Sequence, residues 1–136
     1  MSLPFEILPH TADIRIRALG QTRQELFQNM LRGMFHDYEP ERTASRVERY
    51  FAVASPDFSA LLVDLLSEAL TLADIYNEVY DEVSFARLSD TECSGKLSGW
   101  RLKGVQGEEI KAVTYHDMKL EKKKDETWEA EVVFDI

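Results

Sequence analysis

Three carboxylates and one lysine are the residues of this sequence whose positions could together do chemistry. The chain ends at Asp135-Ile136, and hydrophobic strand residues continue to the last position, which brings the terminal carboxylate next to the Asp135 side chain. Asp13 stands at the start of another predicted strand, opposite in phase to the buried Ile14, and could supply a third carboxylate. Grouped carboxylates repel each other unless a cation or several donors lie among them, and Ca²⁺, Mg²⁺ and Mn²⁺ prefer such oxygen ligands. The spacing therefore raises a divalent-cation site as a hypothesis.

Lys111 joins this group through the geometry of a predicted hairpin. Residues 110–121 and 127–136 alternate as two strands on either side of the charged loop 122–126. If the loop closes there, Lys111 lies across from, or diagonal to, Asp135 and points to the same face. An exposed Lys–Asp pair of this kind is worth only about 0.2–1 kcal/mol, so a simple surface pair accounts for the spacing as well as a site does.

The histidines and the cysteine of the sequence do not form a recognisable catalytic or metal-binding motif. His10, His36 and His116 are scattered without metal-ligand spacing; His10 is close to Asp13, and His116 is predicted on the buried side of its strand. Cys93 is the single cysteine, which excludes an intrachain disulfide and argues against a thiolate zinc site. Since no glycine-rich phosphate loop, serine elbow or Cys–His pairing is present either, nothing resembles a self-sufficient active site.

Composition and charge narrow the class of protein further. The chain has 136 residues, 44% of them hydrophobic and 30% charged, which predicts one globular domain over residues 1–136. No signal-peptide pattern or spanning apolar segment is apparent, so we expect a cytoplasmic protein without membrane insertion. The net charge is −9, and residues 57–92 hold nine acidic residues against one basic residue. Because nucleic-acid binding normally draws on a basic field, strong direct binding to RNA is not expected.

The elements that must position these residues follow from periodicity and capping. Strands are predicted at 3–8, 13–19, 47–54, 78–86 and 92–103, in addition to the hairpin. Thr22 with Glu25 forms a capping box that opens one helix, and Ser55-Pro56-Asp57 opens a second, leucine-rich helix. Asp64 and Glu68 on that second helix could share a cation or form a solvated polar face. The pattern predicts an α+β fold: a single two-layer domain with a mixed or mostly antiparallel sheet and two helices packed on one face.

Three motifs in this order resemble the archease family. They are His10-Thr11-Ala12-Asp13-Ile14 followed by Gly20 and the first helix, Ile110-Lys111-Ala112-Val113-Thr114-Tyr115-His116, and the terminal Val133-Phe134-Asp135-Ile136. The leucine-rich helix is also similar to the second helix of that family. The resemblance covers nearly the whole chain.

The resemblance implies a function without an enzymatic reaction of its own. Archeases assist the GTP-dependent RNA ligase of tRNA splicing and RNA repair, by promoting guanylylation and turnover of that ligase. By resemblance, Asp13, Asp135 and the carboxylate of Ile136 are metal ligands, with Ca²⁺ as the expected ion and Mg²⁺ or Mn²⁺ as alternatives. Lys111 corresponds to a functionally important lysine. The segment 104–109 is shorter than the usual family loop and lacks its histidine.

Two other functions remain open from the sequence. One is a chaperone-like module for another RNA-modifying enzyme such as a tRNA methyltransferase, to which the family is also linked. The other is a metal-dependent hydrolase that uses the same carboxylates, although no general base with an orienting partner is evident.

Overall fold

The computed structural model describes residues 4–8 and 13–136, and within these ranges the chain forms seven strands and two α-helices. In chain order the elements are β1 Phe5–Leu8, β2 Asp13–Gly20, α1 Arg23–Met34, a 3₁₀ turn His36–Tyr38, β3 Pro40–Ala54, α2 Phe58–Tyr76, β4 Glu78–Leu88, β5 Glu92–Val105, β6 Ala112–Lys122 and β7 Trp128–Asp135. Leu3 of the first predicted strand and the His10-Thr11-Ala12 part of the first motif lie outside the described residues.

Both helices begin where side-chain capping predicts. The N–H of Glu25 donates to the Thr22 hydroxyl at 3.1 Å, and the Glu25 carboxylate accepts from the N–H of Gln21 at 3.3 Å, which satisfies two donors at the start of α1. Asp57 caps α2 by accepting from the N–H of Ala60 at 2.8 Å. In the part of the chain that the structure describes, no helix combines the length and the apolar character needed to cross a membrane.

The strands confirm the α+β class but divide between two sheets. The first sheet has the order β1-β2-β7-β6 and the second has the order β3-β5-β4, and every pairing is antiparallel. The single sheet that the sequence predicts is therefore replaced by two, and each helix contacts both of them. Period-two alternation shows which residues of a strand face inward, but not which distant strand supplies the pairing partner.

β-Bulges account for two local errors of sequence analysis. β3 begins at Pro40 rather than Val47, because irregularities on either side of Arg42 interrupt the alternation. His116 does not face the core: its side chain is 76% exposed. The register of β6 shifts between Thr114 and Lys119, where Asp117 adopts φ 51°, and this shift turns His116 outward.

An ion pair between a buried carboxylate and a partly exposed arginine connects β3 to β4, the two outer strands of the second sheet. Glu78 is 1% exposed, and its carboxylate accepts from Nε and Nη2 of Arg49 at 2.9 and 2.7 Å and from the Tyr80 hydroxyl at 2.8 Å. Burial raises the pKa of Glu78, but the bonds from Arg49 and Tyr80 outweigh it, so the pKa lies below its ordinary value. The Arg49 guanidinium also lies 3.6 Å from the centre of the Tyr76 ring.

Candidate functional site

The structure places Asp13 directly opposite Asp135. Asp13 is the first residue of β2 and Asp135 is the last residue of β7, and the two are Cα partners in the antiparallel pair. Directly opposite side chains point to the same face with Cβ atoms about 4.5–5.5 Å apart, and like charges in such positions destabilise a sheet. The first and last motifs of the chain therefore meet in one row of side chains with two negative charges.

Lys111 reaches the same end of the sheet through its main chain. Its N–H donates to the carbonyl of Asp135 at 2.8 Å, while Ala112 is the residue directly opposite Asp135. Lys111 is thus offset by one position, and the side-chain pair with Asp135 that the hairpin predicts is not formed. Its exposed side chain instead lines a groove that also contains Ile136.

The groove beside Lys111 and Ile136 has a volume of about 720 Å³ and an acidic lining. The end of α2 and the segment before β6 supply the rest of the wall: Asp74, Asn77, Val105, Gly107, Glu108, Glu109 and Ile110. Three acidic side chains line this groove, and Lys111 is the one basic side chain among the residues of its wall. The groove is therefore negatively charged around Lys111.

The row next to Asp13 and Asp135 already holds paired charges. Arg15 follows Asp13 on the same face of β2, and its guanidinium contacts Glu131 at 3.4 Å and Asp117 at 3.6 Å. Lys119 lies 4.0 Å from Glu131 on the far side. The outer face of the first sheet is therefore a network of exposed and half-buried ion pairs that begins one row in from Asp13.

A metal at this site would depend on main-chain as well as side-chain oxygen. No three His, Cys, Asp or Glu side chains among residues 4–8 and 13–136 are grouped in a way that could hold a metal ion. The predicted set has only two carboxylate side chains, and its third member is the main-chain carboxylate of Ile136. Such an oxygen-only donor set fits a hard divalent cation and not a soft metal.

The other residues singled out from the sequence lie in varied environments. His10 is outside the described residues, and the ring of His36 packs edge-on against Phe5 with the ring centres 5.0 Å apart. Asp64 accepts hydrogen bonds from the hydroxyls of Ser55 and Tyr115, so it is more than a solvated surface carboxylate. Cys93 is buried, and burial raises the pKa of its thiol to about 11, which keeps it protonated at neutral pH.

Tyr38 is a residue near the site that sequence analysis did not single out. Its hydroxyl bonds to the peptide of Ile110, immediately before Lys111, across a separation of 72 positions in the chain. A single tyrosine after a helix carries no local signal of such a contact. Only the fold brings it to the candidate site.

Known sequences match this chain over nearly its whole length. Residues 5–136 match the model of the archease protein family. The chain is 37% identical to the protein archease of Methanosarcina mazei, over 97% of this chain and 95% of that protein. It is 36% identical to the protein archease of Thermococcus kodakarensis, over 97% of this chain and 98% of that protein.

Solved structures share the fold described above. The solution structure of protein 1598 from Methanobacterium thermoautotrophicum has a TM-score of 0.75 and 26% identity, over 98% of this chain and 99% of that chain. A 2.0 Å crystal structure from Thermotoga maritima, of an archease named there as a possible chaperone, has a TM-score of 0.72 and 21% identity, over 100% of this chain and 98% of that chain. With its family model and relatives above 30% identity matched over nearly their full length, the chain belongs to the archease family.

Proposed function

We propose that this archease binds a divalent cation and activates a GTP-dependent RNA ligase, by promoting guanylylation and turnover of that ligase in tRNA splicing or RNA repair. The protein acts as an accessory factor without a reaction of its own. The observation that carries the proposal is the meeting of Asp13 and Asp135 in directly opposite positions, with Lys111 and Ile136 at the same end of the sheet. Three separate sequence motifs contribute these residues to one end of the first sheet, where Asp13 and Asp135 are opposed and Lys111 lines the groove beside Ile136.

A bound cation would offset the repulsion between the carboxylates of Asp13, Asp135 and Ile136. Two opposed carboxylates and a third from Ile136 are stabilised when a hard divalent ion lies among them. Ca²⁺ is the expected ion, with Mg²⁺ or Mn²⁺ as alternatives. Asp13, Asp135 and the Ile136 carboxylate would hold the ion, which would supply positive charge for a phosphate oxygen. Lys111 would supply a second positive charge at the same end of the sheet.

Charge also supports docking on the ligase rather than on RNA. The chain carries a net charge of −9, and the groove beside Lys111 is lined by Asp74, Glu108 and Glu109. A ligase that binds RNA presents a basic surface, and complementary potentials raise the rate of association. The acidic surface therefore favours the protein partner over its nucleic acid.

The direct test is guanylylation of the ligase from the same cell. Transfer of label from [α-³²P]GTP to the purified ligase should be faster, and should continue over several turnovers, when the archease is added. A ligase whose labelling rate and turnover do not respond to the archease would contradict the proposal.

A second candidate is a chaperone-like role for another RNA-modifying enzyme such as a tRNA methyltransferase. It is favoured by the structural relative from Thermotoga maritima that is named as a possible chaperone. A pull-down from native cells that retrieves the methyltransferase and not the ligase would favour this function over ligase activation.

Removal of either carboxylate should abolish tight binding of the cation. Titration calorimetry with Ca²⁺, Mg²⁺ and Mn²⁺ should show affinity that Asp13→Ala or Asp135→Ala lowers by more than about 10-fold, since even indirect supports of a metal site are worth that much. An added glycine after Ile136 should also weaken binding, because it moves the terminal carboxylate. Asp90→Ala is the matched control, since Asp90 is exposed and pairs with Arg23 on another part of the surface. Wild-type affinity in both aspartate variants would exclude this site.

The isolated protein should bind RNA weakly. Residues 57–92 carry nine acidic residues against one basic residue, so most of this surface repels phosphates. Fluorescence anisotropy with labelled tRNA at near-physiological salt should show no submicromolar binding. A submicromolar dissociation constant would show that the protein contacts RNA on its own.

A further inference from the structure

The peptide of Ile110 is held by the side chain of Tyr38. The Tyr38 hydroxyl accepts from the N–H of Ile110 at 3.2 Å and donates to its carbonyl at 3.4 Å. Tyr38 is 3% exposed and Ile110 is 4% exposed, so neither the N–H nor the carbonyl of Ile110 can rely on water. Buried main-chain donors and acceptors need partners, and one hydroxyl supplies both.

The segment before Ile110 is bonded to the same turn, main chain to main chain. Gly107 N–H donates to Tyr38 O at 2.9 Å, and Glu108 N–H donates to Asp37 O at 2.8 Å. A Cβ on Gly107 would lie 1.8 Å from Asp37 O, so only glycine permits this close approach. The short segment 104–109 is thus fixed against the 3₁₀ turn rather than free to move as a loop.

Lys111 follows directly on this clamped peptide. Its own N–H is bonded to Asp135 O at 2.8 Å, so its main chain is held from both sides. Tyr38 is itself fixed by an edge-on contact with Phe35, with the ring centres 5.0 Å apart. Burial raises the pKa of Tyr38 to about 12, so its hydroxyl keeps the proton with which it donates.

We infer that Tyr38 is a positioning residue for Lys111: its hydroxyl fixes the Ile110 peptide so that the Lys111 side chain enters the groove beside Ile136 at one position. This inference rests on the proposed function for its biological consequence, although the clamp itself can be measured without the ligase. The bonds between segment 104–109 and the 3₁₀ turn act in the same way, because they fix the chain just before Ile110 and Lys111.

Hydrogen exchange tests the clamp in the archease alone. Tyr38→Phe keeps the ring and removes the hydroxyl that accepts from the Ile110 N–H, so the amide of Ile110 should exchange about 10-fold faster, the factor expected for one ordinary hydrogen bond. The amide of Lys111, which is bonded to Asp135 and follows the released Ile110 carbonyl, should exchange faster by a smaller factor. Tyr80→Phe is the matched control, because it removes another buried tyrosine hydroxyl that bonds to Glu78 and not to this segment. Exchange at Ile110 and Lys111 that is unchanged in a folded Tyr38→Phe variant would overturn the inference.

A double-mutant cycle tests whether Tyr38 acts through Lys111. Tyr38→Phe should lower the stimulated rate of ligase guanylylation by about 10-fold, because small displacements of a charged group are costly to a reaction. In a Lys111→Ala background the same substitution should cause no further loss. Equal losses in both backgrounds would show that Tyr38 does not act through Lys111. Full stimulation by Lys111→Ala would contradict the role given to Lys111, whereas a ligase that does not respond to the wild type would contradict the proposed function. The exchange measurement tests the clamp independently of both.

Discussion

Replacing Lys111 by alanine is expected to reduce stimulation of ligase guanylylation by roughly 10²–10³-fold, the usual cost of one electrostatic contact formed in a transition state. The lysine side chain is exposed and makes its contact with Asp135 only through the main chain, so its loss removes no ion pair with Asp135 from the sheet. The effect should therefore appear in the rate and not in folding. The measurement is label transfer to the ligase from [α-³²P]GTP, with thermal melting of each variant alongside.

The Lys111 variants should separate charge from shape. Lys111→Ala should still bind the cation and still dock on the ligase. Lys111→Arg keeps the charge but changes its geometry and reach, so it should restore the stimulation only in part. Lys103→Ala, at an exposed lysine of β5, is a matched control that should stimulate like the wild type. A well-folded Lys111→Ala that stimulates fully would leave the carboxylate site to account for activation without the lysine.

Removing Arg49, the partner of the buried Glu78 carboxylate, should have the largest effect on stability. Arg49→Met keeps much of the side-chain volume but leaves the Glu78 carboxylate buried beside Tyr80 without its cation. Loss of one partner of a buried pair costs about 3–5 kcal/mol, which for this chain length lowers the melting temperature by roughly 10–15 °C. Calorimetric or fluorescence-detected melting at neutral pH measures the difference.

The destabilisation caused by Arg49→Met should depend on pH in a definite direction. In the wild type the pKa of Glu78 is lowered, so its stabilising contribution is present above the unfolded-state pKa and is lost as the pH falls through the folded-state pKa. Without Arg49, burial raises the pKa of Glu78, and the carboxyl takes up a proton at a higher pH. The deficit of Arg49→Met should therefore shrink between about pH 7 and about pH 4.

An exposed pair on the same sheet provides the control for Arg49. Lys96 lies 2.6 Å from Glu48 with both side chains substantially exposed, so Lys96→Met should leave the melting temperature nearly unchanged. Equal destabilisation by Lys96→Met and Arg49→Met would contradict the importance given to burial.

Helix caps and strand alternation could be predicted from the sequence, whereas the pairing of distant strands could be predicted only in part. The caps at Thr22 and Asp57 are short-range bonds, so the starts of both helices could be predicted from adjacent residues. The same is true of β2, whose alternation survives in Ile16 and Ala18, both buried. The prediction that His116 lies on the buried side of β6 is wrong, because the left-handed backbone at Asp117 changes which residues of the strand face inward. The alternation of the sequence gives no signal of such a bulge.

The sequence by itself determined most of the strands and both helices, and it supplied Asp13, Asp135, Ile136 and Lys111 as the predicted residues of the candidate site. Only the tertiary structure decided that Asp13 and Asp135 stand directly opposite each other, since this depends on pairing of β2 with β7 from opposite ends of the chain. It also decided that the strands form two sheets, and that Tyr38 holds the peptide before Lys111. The physical reason is the same in each case. Capping and alternation act between residues a few positions apart, whereas strand partners and buried hydrogen bonds are chosen by the packing of the whole core.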